Sequence, residues 1–260
     1  MNTPLLTVIT LHLPHRAFKL QELRAILGEQ IAPYGDVVEH LIISDSSVTY
    51  GELMGRSVRQ ARGQYVCWMD DDDLPEPEYV DEIMKAIRTE PAPDVVTFAS
   101  YSPRPNGDRI WARLRFGAKD NEFEDGQGVT KSANHYCAWR REIAASAVWL
   151  PRNYGAEYIW YTSLRLAYPN LREVYIPKLL HRYVYNAADT RCQNATSIGR
   201  SLANGGNVVH ILKGVEDGRL YAAVGPHQPR NGIYRAYTPE LQLVSLKKSE
   251  VMVLEVASYR

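Results

Sequence analysis

Residues 65–75 read YVCWMDDDDLP, so five apolar residues run directly into four consecutive aspartates. An apolar run of this length is typical of a strand that is buried on both faces of a sheet. The four aspartates, Asp70, Asp71, Asp72 and Asp73, then lie at the carboxyl end of that strand, where parallel α/β sheets bind their ligands. The stretch therefore predicts a buried strand that ends at a charged ligand site.

Strand and helix signals alternate on both sides of this stretch. Apolar, β-rich runs predict three further strands, at 6–13, 38–43 and 94–100. Apolar residues at helical spacing, and two prolines before the last segment, predict helices over 17–31, 51–61 and 78–88. This alternation predicts an α/β fold in which a mostly parallel sheet is flanked by helices.

The C-terminal part of the chain is different, because it contains short β-rich runs without helical segments between them. These runs predict strands at 208–212, 220–224, 233–237, 241–246 and 251–256. We therefore expect a main domain over 1–196 and a small β-rich C-terminal extension over 197–260. An extension of this size is marginal as an independent domain, so we expect it to dock on the main domain. Within the main domain, the charge- and Gly-rich residues 102–131 predict loops around a single strand at 110–116.

Composition narrows the class of protein. Lys and Arg together number 30, as do Asp and Glu, and this zero net charge argues mildly against a general nucleic-acid binder. The three cysteines have no metal-ligand spacing, which favours a reducing, cytoplasmic location. No segment approaches the roughly 18 apolar residues of a membrane helix, so we expect no transmembrane anchor.

Four adjacent carboxylates repel one another and raise one another's pKa unless a positive group joins them. Magnesium or manganese is the expected partner, because these cations take oxygen ligands and bind substrate phosphates through one or two carboxylates. The alternative is a solvated acidic loop that also caps the next helix. The buried strand directly before the aspartates favours the metal site.

Residues 7–87 resemble the nucleotide-binding half of the family-2 glycosyltransferases, which have the GT-A fold. The turn HLPHR at 12–16 is similar to the turn after their first strand, and it keeps Arg16. IISDSS at 42–47 matches their second strand, which ends in an aspartate at the position of Asp45. GRSVRQARGQYV at 55–66 keeps Arg56 of the next motif, and MDDDDLP at 69–75 is similar to their D-x-D-D motif.

The resemblance implies a nucleotide-sugar donor, with a UDP-sugar as the expected one. The residues implied to bind it are Thr10, Arg16, Asp45, Arg56, Asp70 and Asp71, and Asp72 would ligate the divalent metal on the diphosphate. The run of four aspartates leaves the register open by one residue, so Asp71 or Asp73 could take either role.

Weaker resemblances continue to about residue 186. HYCAWRREI at 135–143 is similar to the segment before the acceptor-side helix, where Tyr136 and Trp139 either contact sugar or pack in the core. YGAEYIWYTSLRLA at 154–167 resembles the segment that carries the catalytic base, here Glu157 in place of the usual aspartate. YIPKLLHRYVYN at 175–186 contains His181, which could reach the metal or the diphosphate. An inverting transfer with Glu157 as general base is implied.

Two other functions remain open at this point. A nucleotidyltransferase would also place aspartates at a sheet edge, but HLPHR is not the Gly-rich phosphate loop that such enzymes usually have. A catalytically inactive nucleotide-sugar-binding protein would retain the fold without turnover. The acceptor is not readable from the sequence, and it could be a glycan, a lipid-linked sugar, a protein or a modified nucleic acid.

Overall fold

The computed structural model describes residues 3–103, 109–118, 122–124, 128–153, 155–184, 208–224 and 232–258. The chain forms two compact units. The first comprises Met1–Ser47, Arg56–Ala144 and Tyr168–Asn186, and the second Val48–Gly55, Ala145–Ala167 and Ala187–Arg260. The predicted domain boundary at 196/197 lies outside the described residues and stays a prediction.

The first unit is built on one sheet. Its strands are β1 (Leu6–Leu11), β2 (Val38–Ile43), β3 (Tyr65–Trp68), β4 (Leu74–Pro75), β5 (Val95–Pro103), β6 (Arg109–Arg115), β7 (Glu122–Glu124), β8 (Gly128–Ser132), β9 (Ala138–Arg140) and β10 (Glu173–Arg182). The helices are α1 (Ala17–Ile31), α2 (Tyr50–Gln60, which begins in the second unit), α3 (Tyr79–Ile87) and the short α4 (Arg141–Ser146). The segment predicted as loops around one strand thus contains three strands, β6, β7 and β8.

The strand order is β2-β1-β3-β9-β5-β6-β8-β7, and β10 pairs with both β4 and β5. β1 lies parallel to β2 and to β3, whereas β9 is inserted antiparallel between β3 and β5. The prediction of an α/β fold, with a mostly parallel sheet flanked by helices and a β-rich C-terminal part, is confirmed. The antiparallel insertion of β9 was not predicted.

Burial explains why the N-terminal strands have continuous apolar sequences. Every residue of β1 and of β3 is buried, as is typical of strands whose two faces are both covered. The two large polar aromatics of β3 satisfy their polar atoms inside the core: Tyr65 donates to the carbonyl of Pro93 and Trp68 donates to the hydroxyl of Ser57. These hydrogen bonds let two large polar aromatics pack inside the sheet's core.

The second unit contains α5 (Ala156–Ala167) and a five-stranded antiparallel sheet. Its strands are β11 (Val208–Gly214), β12 (Leu220–Val224), β13 (Ile233–Tyr237), β14 (Leu243–Lys247) and β15 (Val251–Ser258). One cluster of its core combines Ile159 of α5 with Val209 and Leu220 of the sheet. Trp149 and Trp160 stack at 4.8 Å between ring centroids. Within the described part of the chain, no helix is long and apolar enough to cross a membrane.

Gly63, two residues before β3, lies close to the backbone of β1. A Cβ on Gly63 would lie 2.6 Å from the backbone nitrogen of Thr7, so Gly63→Ala forces the backbone of β1 to move. We expect the free energy of unfolding in urea to fall by about 1–3 kcal/mol. Gly28→Ala in α1 is the matched control, because nothing lies within 4 Å of its Cβ. It should raise stability by up to about 1 kcal/mol through helix propensity. Equal effects of the two variants would contradict the contact.

Candidate active site

Three parallel strands end at one edge of the first unit's sheet. β1 lies between β2 and β3, and the pairing keeps their carboxyl ends level. His12–Arg16 follow β1, Asp45 follows β2, and Asp70–Asp73 follow β3. The structure thus brings Arg16, Asp45 and the four aspartates to the edge where α/β sheets bind ligands.

Asp70–Asp73 form a tight turn, which we name the acidic turn. The N–H of Asp73 donates to the carbonyl of Asp70 at 3.1 Å and closes it. Burial alternates along the turn: the side chains of Asp71 and Asp73 are 1% exposed, whereas those of Asp70 and Asp72 are 24% and 17% exposed. Asp70 and Asp72 are therefore the carboxylates that a ligand can reach.

Asp71 faces the end of β1. One of its oxygens accepts the N–H of Leu13 at 2.8 Å and lies 2.9 Å from Nδ1 of His12. The other accepts a hydrogen bond from the guanidinium group of Arg16 at 2.8 Å. Both oxygens of Asp71 are thus engaged inside the protein, and they fix the HLPHR turn against the acidic turn.

Arg16 also contacts Asp72, at 3.0 Å. Burial works against the charge of Arg16, but hydrogen bonding to Asp71 and the charges of Asp72 and Asp71 outweigh it and raise its pKa. The pKa of Asp72 is raised to about 7 by burial and by repulsion from Asp70 and Asp73, against the opposing effect of Arg16. A single arginine therefore does not neutralise the acidic turn.

Two histidines flank the other side of the turn. Asp73 accepts the N–H of Val184 at 2.9 Å, and its second oxygen lies 3.0 Å from Nε2 of His181. His181 is fully buried, and its Nδ1 lies 2.8 Å from the hydroxyl of Ser100. The predicted metal or diphosphate contact of His181 would therefore have to replace its contact with Asp73.

His135 lies 3.6 Å from Asp70, which is an ionic contact rather than a hydrogen-bond distance. Burial raises the pKa of Asp70, but His135, His181 and Arg16 outweigh burial and lower it. The ring of Tyr136 lies between the two histidines, 4.2 Å from His135 and 4.0 Å from His181. Sequence reasoning assigned no role to His12 or His135, although both belong to motifs that resemble the family.

Asp45 lies at the end of β2 and is one-third exposed. It accepts hydrogen bonds from the N–H and the hydroxyl of Ser47, and its other oxygen lies 3.3 Å from Arg56, which is also exposed. This pair is thus accessible to a ligand. Thr10, by contrast, is fully buried, and its hydroxyl lies 2.9 Å from His40 of β2. The predicted contact of Thr10 with the donor stays a prediction.

Glu157 belongs to the second unit, at the start of α5. It is partly exposed, but its Oε2 is buried and has no hydrogen-bond partner within the described residues. A buried carboxylate oxygen without a partner is unfavourable unless it serves a ligand or a reaction. The predicted role of Glu157 as general base stays a prediction.

The donor atoms of the acidic turn suit one kind of metal site. Within the described residues, no three His, Cys, Asp or Glu side chains are arranged to enclose a metal ion. Magnesium and manganese do not need an all-protein cage when one or two carboxylates are joined by substrate phosphates and water. Asp70 and Asp72 therefore fit a metal that is shared with a bound diphosphate.

Residues 32–146 match the sequence model of a family described as Glycosyl transferase family 2. No curated protein matches the sequence.

Several solved glycosyltransferase structures are similar to this chain. TarS 1–349 of S. aureus in complex with UDP-GlcNAc is 13% identical, with 70% of this chain and 58% of that chain covered and a TM-score of 0.48. The mannosyltransferase PcManGT of Pyrobaculum calidifontis, with GDP-Man and Mn²⁺, is 15% identical, with 78% and 62% covered and a TM-score of 0.43. Glucosyl-3-phosphoglycerate synthase of Mycobacterium tuberculosis, with Mn²⁺, UDP and phosphoglyceric acid, is 13% identical, with 86% and 87% covered and a TM-score of 0.47.

This chain spans less than two thirds of the length of TarS 1–349 and of PcManGT.

The raised pKa of Asp72 predicts a pH dependence of stability in metal-free buffer. An aspartate of the unfolded chain titrates near pH 4, about three units lower, so between these values the folded state holds a proton that the unfolded state has lost. The contribution of Asp72 to the free energy of unfolding therefore falls as the pH rises from about 4 to about 7. We expect the free energy of unfolding of Asp72→Asn, minus that of the wild type, to be larger at about pH 8 than at about pH 5.

Urea denaturation with EDTA at the two pH values measures this difference. Asp81→Asn is the matched control, since Lys85 lowers rather than raises the pKa of Asp81. The same pH dependence in both variants would contradict the environment assigned to Asp72.

Proposed function

We propose that the protein transfers a sugar from a nucleotide diphosphate donor, a UDP-sugar, to an acceptor hydroxyl, with a divalent metal and with inversion at the anomeric carbon. The observation that carries the proposal is the alternation of burial in the acidic turn. It leaves Asp70 and Asp72 accessible at the sheet edge that also holds Asp45.

Each accessible carboxylate would contact a different part of the donor. Asp45, with Arg56 beside it, would accept hydrogen bonds from the nucleobase, and Asp70 would contact the nucleoside. Asp72 would ligate the metal on the diphosphate. Because the pKa of Asp72 without metal is about 7, metal binding near neutral pH would release a proton. Arg16 supplies a further positive charge beside Asp72.

The chemistry needs a base on the acceptor side. When bound, the metal supplies positive charge to the departing diphosphate. Glu157 would take the proton of the acceptor hydroxyl while that oxygen attacks the anomeric carbon and the nucleoside diphosphate leaves from the opposite face. The unpartnered Oε2 of Glu157 supports this role, because an incoming hydroxyl would supply its missing hydrogen bond.

Calorimetric titration separates the two donor contacts. Asp45→Asn should weaken UDP binding by about tenfold with or without Mn²⁺, since it removes a charged hydrogen-bond acceptor. Asp72→Asn should remove the increase in affinity that Mn²⁺ gives, and with it the metal-dependent hydrolysis of the UDP-sugar. Asp81→Asn, an exposed acidic residue of α3, should leave both unchanged.

Undiminished metal-dependent hydrolysis in Asp72→Asn would refute the metal role. Tighter binding of UTP than of UDP or UDP-sugars would instead favour a nucleotidyltransferase.

Glu157→Gln tests the catalytic base. The variant keeps the size of the side chain but cannot accept a proton, so kcat should fall by about 10²- to 10⁴-fold while UDP binding is unchanged. The readout is UDP release, and Glu216→Gln, an exposed substitution in the same unit, is the control. Wild-type turnover in Glu157→Gln would exclude the assignment. Donor binding without any turnover by the wild type would favour the inactive binding protein.

A further inference from the structure

The first turn of α2 packs on the segment that leads into α5. Gly51 is the second residue of α2, and Ala156 is the first residue of α5. A Cβ on Gly51 would lie 1.9 Å from the carbonyl oxygen of Leu150 and 2.9 Å from the Cβ of Ala156. All three residues belong to the second unit. The segment before α5 therefore packs directly on the backbone of α2.

The close contact, and not the backbone conformation, requires a glycine at this position. Gly51 is not one of the glycines with a positive φ, so an alanine can adopt its backbone conformation. A distance of 1.9 Å, however, is far inside the 3.4 Å at which ordinary contact begins. An added Cβ therefore forces either the carbonyl group of Leu150 or the first turn of α2 to move.

Hydrogen bonds join the same segment to the start of α2. The N–H of Gly51 donates to the carbonyl of Arg152 at 2.9 Å. The N–H of Tyr50 donates to Oδ1 of Asn153, also at 2.9 Å. The first N–H groups of a helix have no partner within the helix, and the segment before α5 supplies one for each of these two. The position of that segment is thus fixed relative to α2.

Packing carries a movement of Leu150 into α5. Leu150 is 1% exposed and belongs to the same core cluster as Ile159 of α5. Its neighbour Trp149 stacks on Trp160 of α5, with 4.8 Å between the ring centroids. Close-packed interiors transmit strain, because they have little free space to absorb it. A displaced backbone at Leu150 therefore displaces the start of α5.

The carboxylate of Glu157 depends on this helix start. Glu157 directly follows Ala156, and its Oε2 is buried without a hydrogen-bond partner in the part of the chain that the structure describes. No hydrogen bond of that oxygen can restore the direction of the carboxylate if the backbone moves. A general base must lie within hydrogen-bond reach of the proton that it takes. The position of the α5 backbone therefore decides whether Glu157 can act.

We propose that Gly51 is a positioning residue for the general base: by letting Leu150 and Ala156 approach α2 closely, it sets the position of the Glu157 carboxylate. The inference rests on the proposed function, in which Glu157 takes the proton of the acceptor hydroxyl. Gly51 acts only through Glu157 and contacts neither the donor nor the acceptor.

Gly51→Ala tests the inference. The kcat for UDP release from UDP-GlcNAc or UDP-glucose with Mn²⁺ should fall about 10²-fold, because a misplacement of about 1 Å has an effect of this size. The affinity for UDP, measured by calorimetry, should be unchanged. Gly28→Ala in α1 is the matched control, since nothing lies within 4 Å of its added Cβ, and it should retain the wild-type values.

A double variant distinguishes positioning from a general loss of structure. In a Glu157→Gln background, Gly51→Ala should lower kcat no further, because the group through which it acts is already lost. Hydrogen exchange measured without donor should be faster at the first turn of α5 in Gly51→Ala, and unchanged in Gly28→Ala. Additive losses in the double variant, or unchanged exchange in Gly51→Ala, overturn the inference.

Asn153 carries the test if thermal unfolding shows that Gly51→Ala does not fold. Asn153→Ala removes the acceptor for the N–H of Tyr50, whereas Asn153→Asp keeps an oxygen at that place. The alanine variant should lose about fivefold in kcat, the size expected for one hydrogen bond, and the aspartate variant should retain the wild-type value. Equal kcat in these two variants overturns the inference.

The wild type separates this inference from the proposed function. A wild type that binds UDP and releases none from either donor refutes the proposed function. A wild type that turns over, together with a folded Gly51→Ala variant of equal kcat, refutes the positioning role alone.

Discussion

The guanidinium group of Arg16 lies 2.8 Å from Asp71 and 3.0 Å from Asp72, and its side chain is only 7% exposed. Ion pairs with so little solvent depend on both partners, because removal of one leaves a buried charge unpaired. This contact ties the turn after β1 to the turn after β3. It also places one positive charge within a group of four carboxylates that would otherwise repel one another. The geometry of the sheet edge depends on it.

The alternating burial of the acidic turn follows from this contact and from its counterpart on the other side. Arg16, His12 and Leu13 hold Asp71 inward, and Val184 and His181 hold Asp73 inward. The intervening residues, Asp70 and Asp72, then face outward. Two carboxylates thus fix the turn and two remain for a ligand. The incomplete neutralisation of Asp72, with a pKa of about 7, is the property that the proposed metal would use.

The sequence predicted features that depend on neighbouring residues. The apolar run before Asp70 and the helical spacing of 17–31 are local, so they gave β3, α1 and the sheet edge. Which aspartates point inward was not predictable, because their partners lie 55 to 111 residues away in sequence. β9 was missed because three residues, Ala138–Arg140, carry no readable period. The roles of His12 and His135 depend on the same distant contacts.

A local irregularity in β10 sets the directions of two side chains near the acidic turn. Leu179 pairs with Ala99, yet His181 pairs with the next residue, Ser100, so β10 holds one extra residue between the two pairs. Bulges of this kind re-aim side chains. Without the extra residue, His181 would lie on the face of Tyr101 and Arg182 on the opposite face. With it, His181 turns inward to Asp73 while Arg182 turns outward to Tyr101. One inserted residue therefore lets His181 contact the acidic turn while Arg182 pairs with Glu76 on the opposite face.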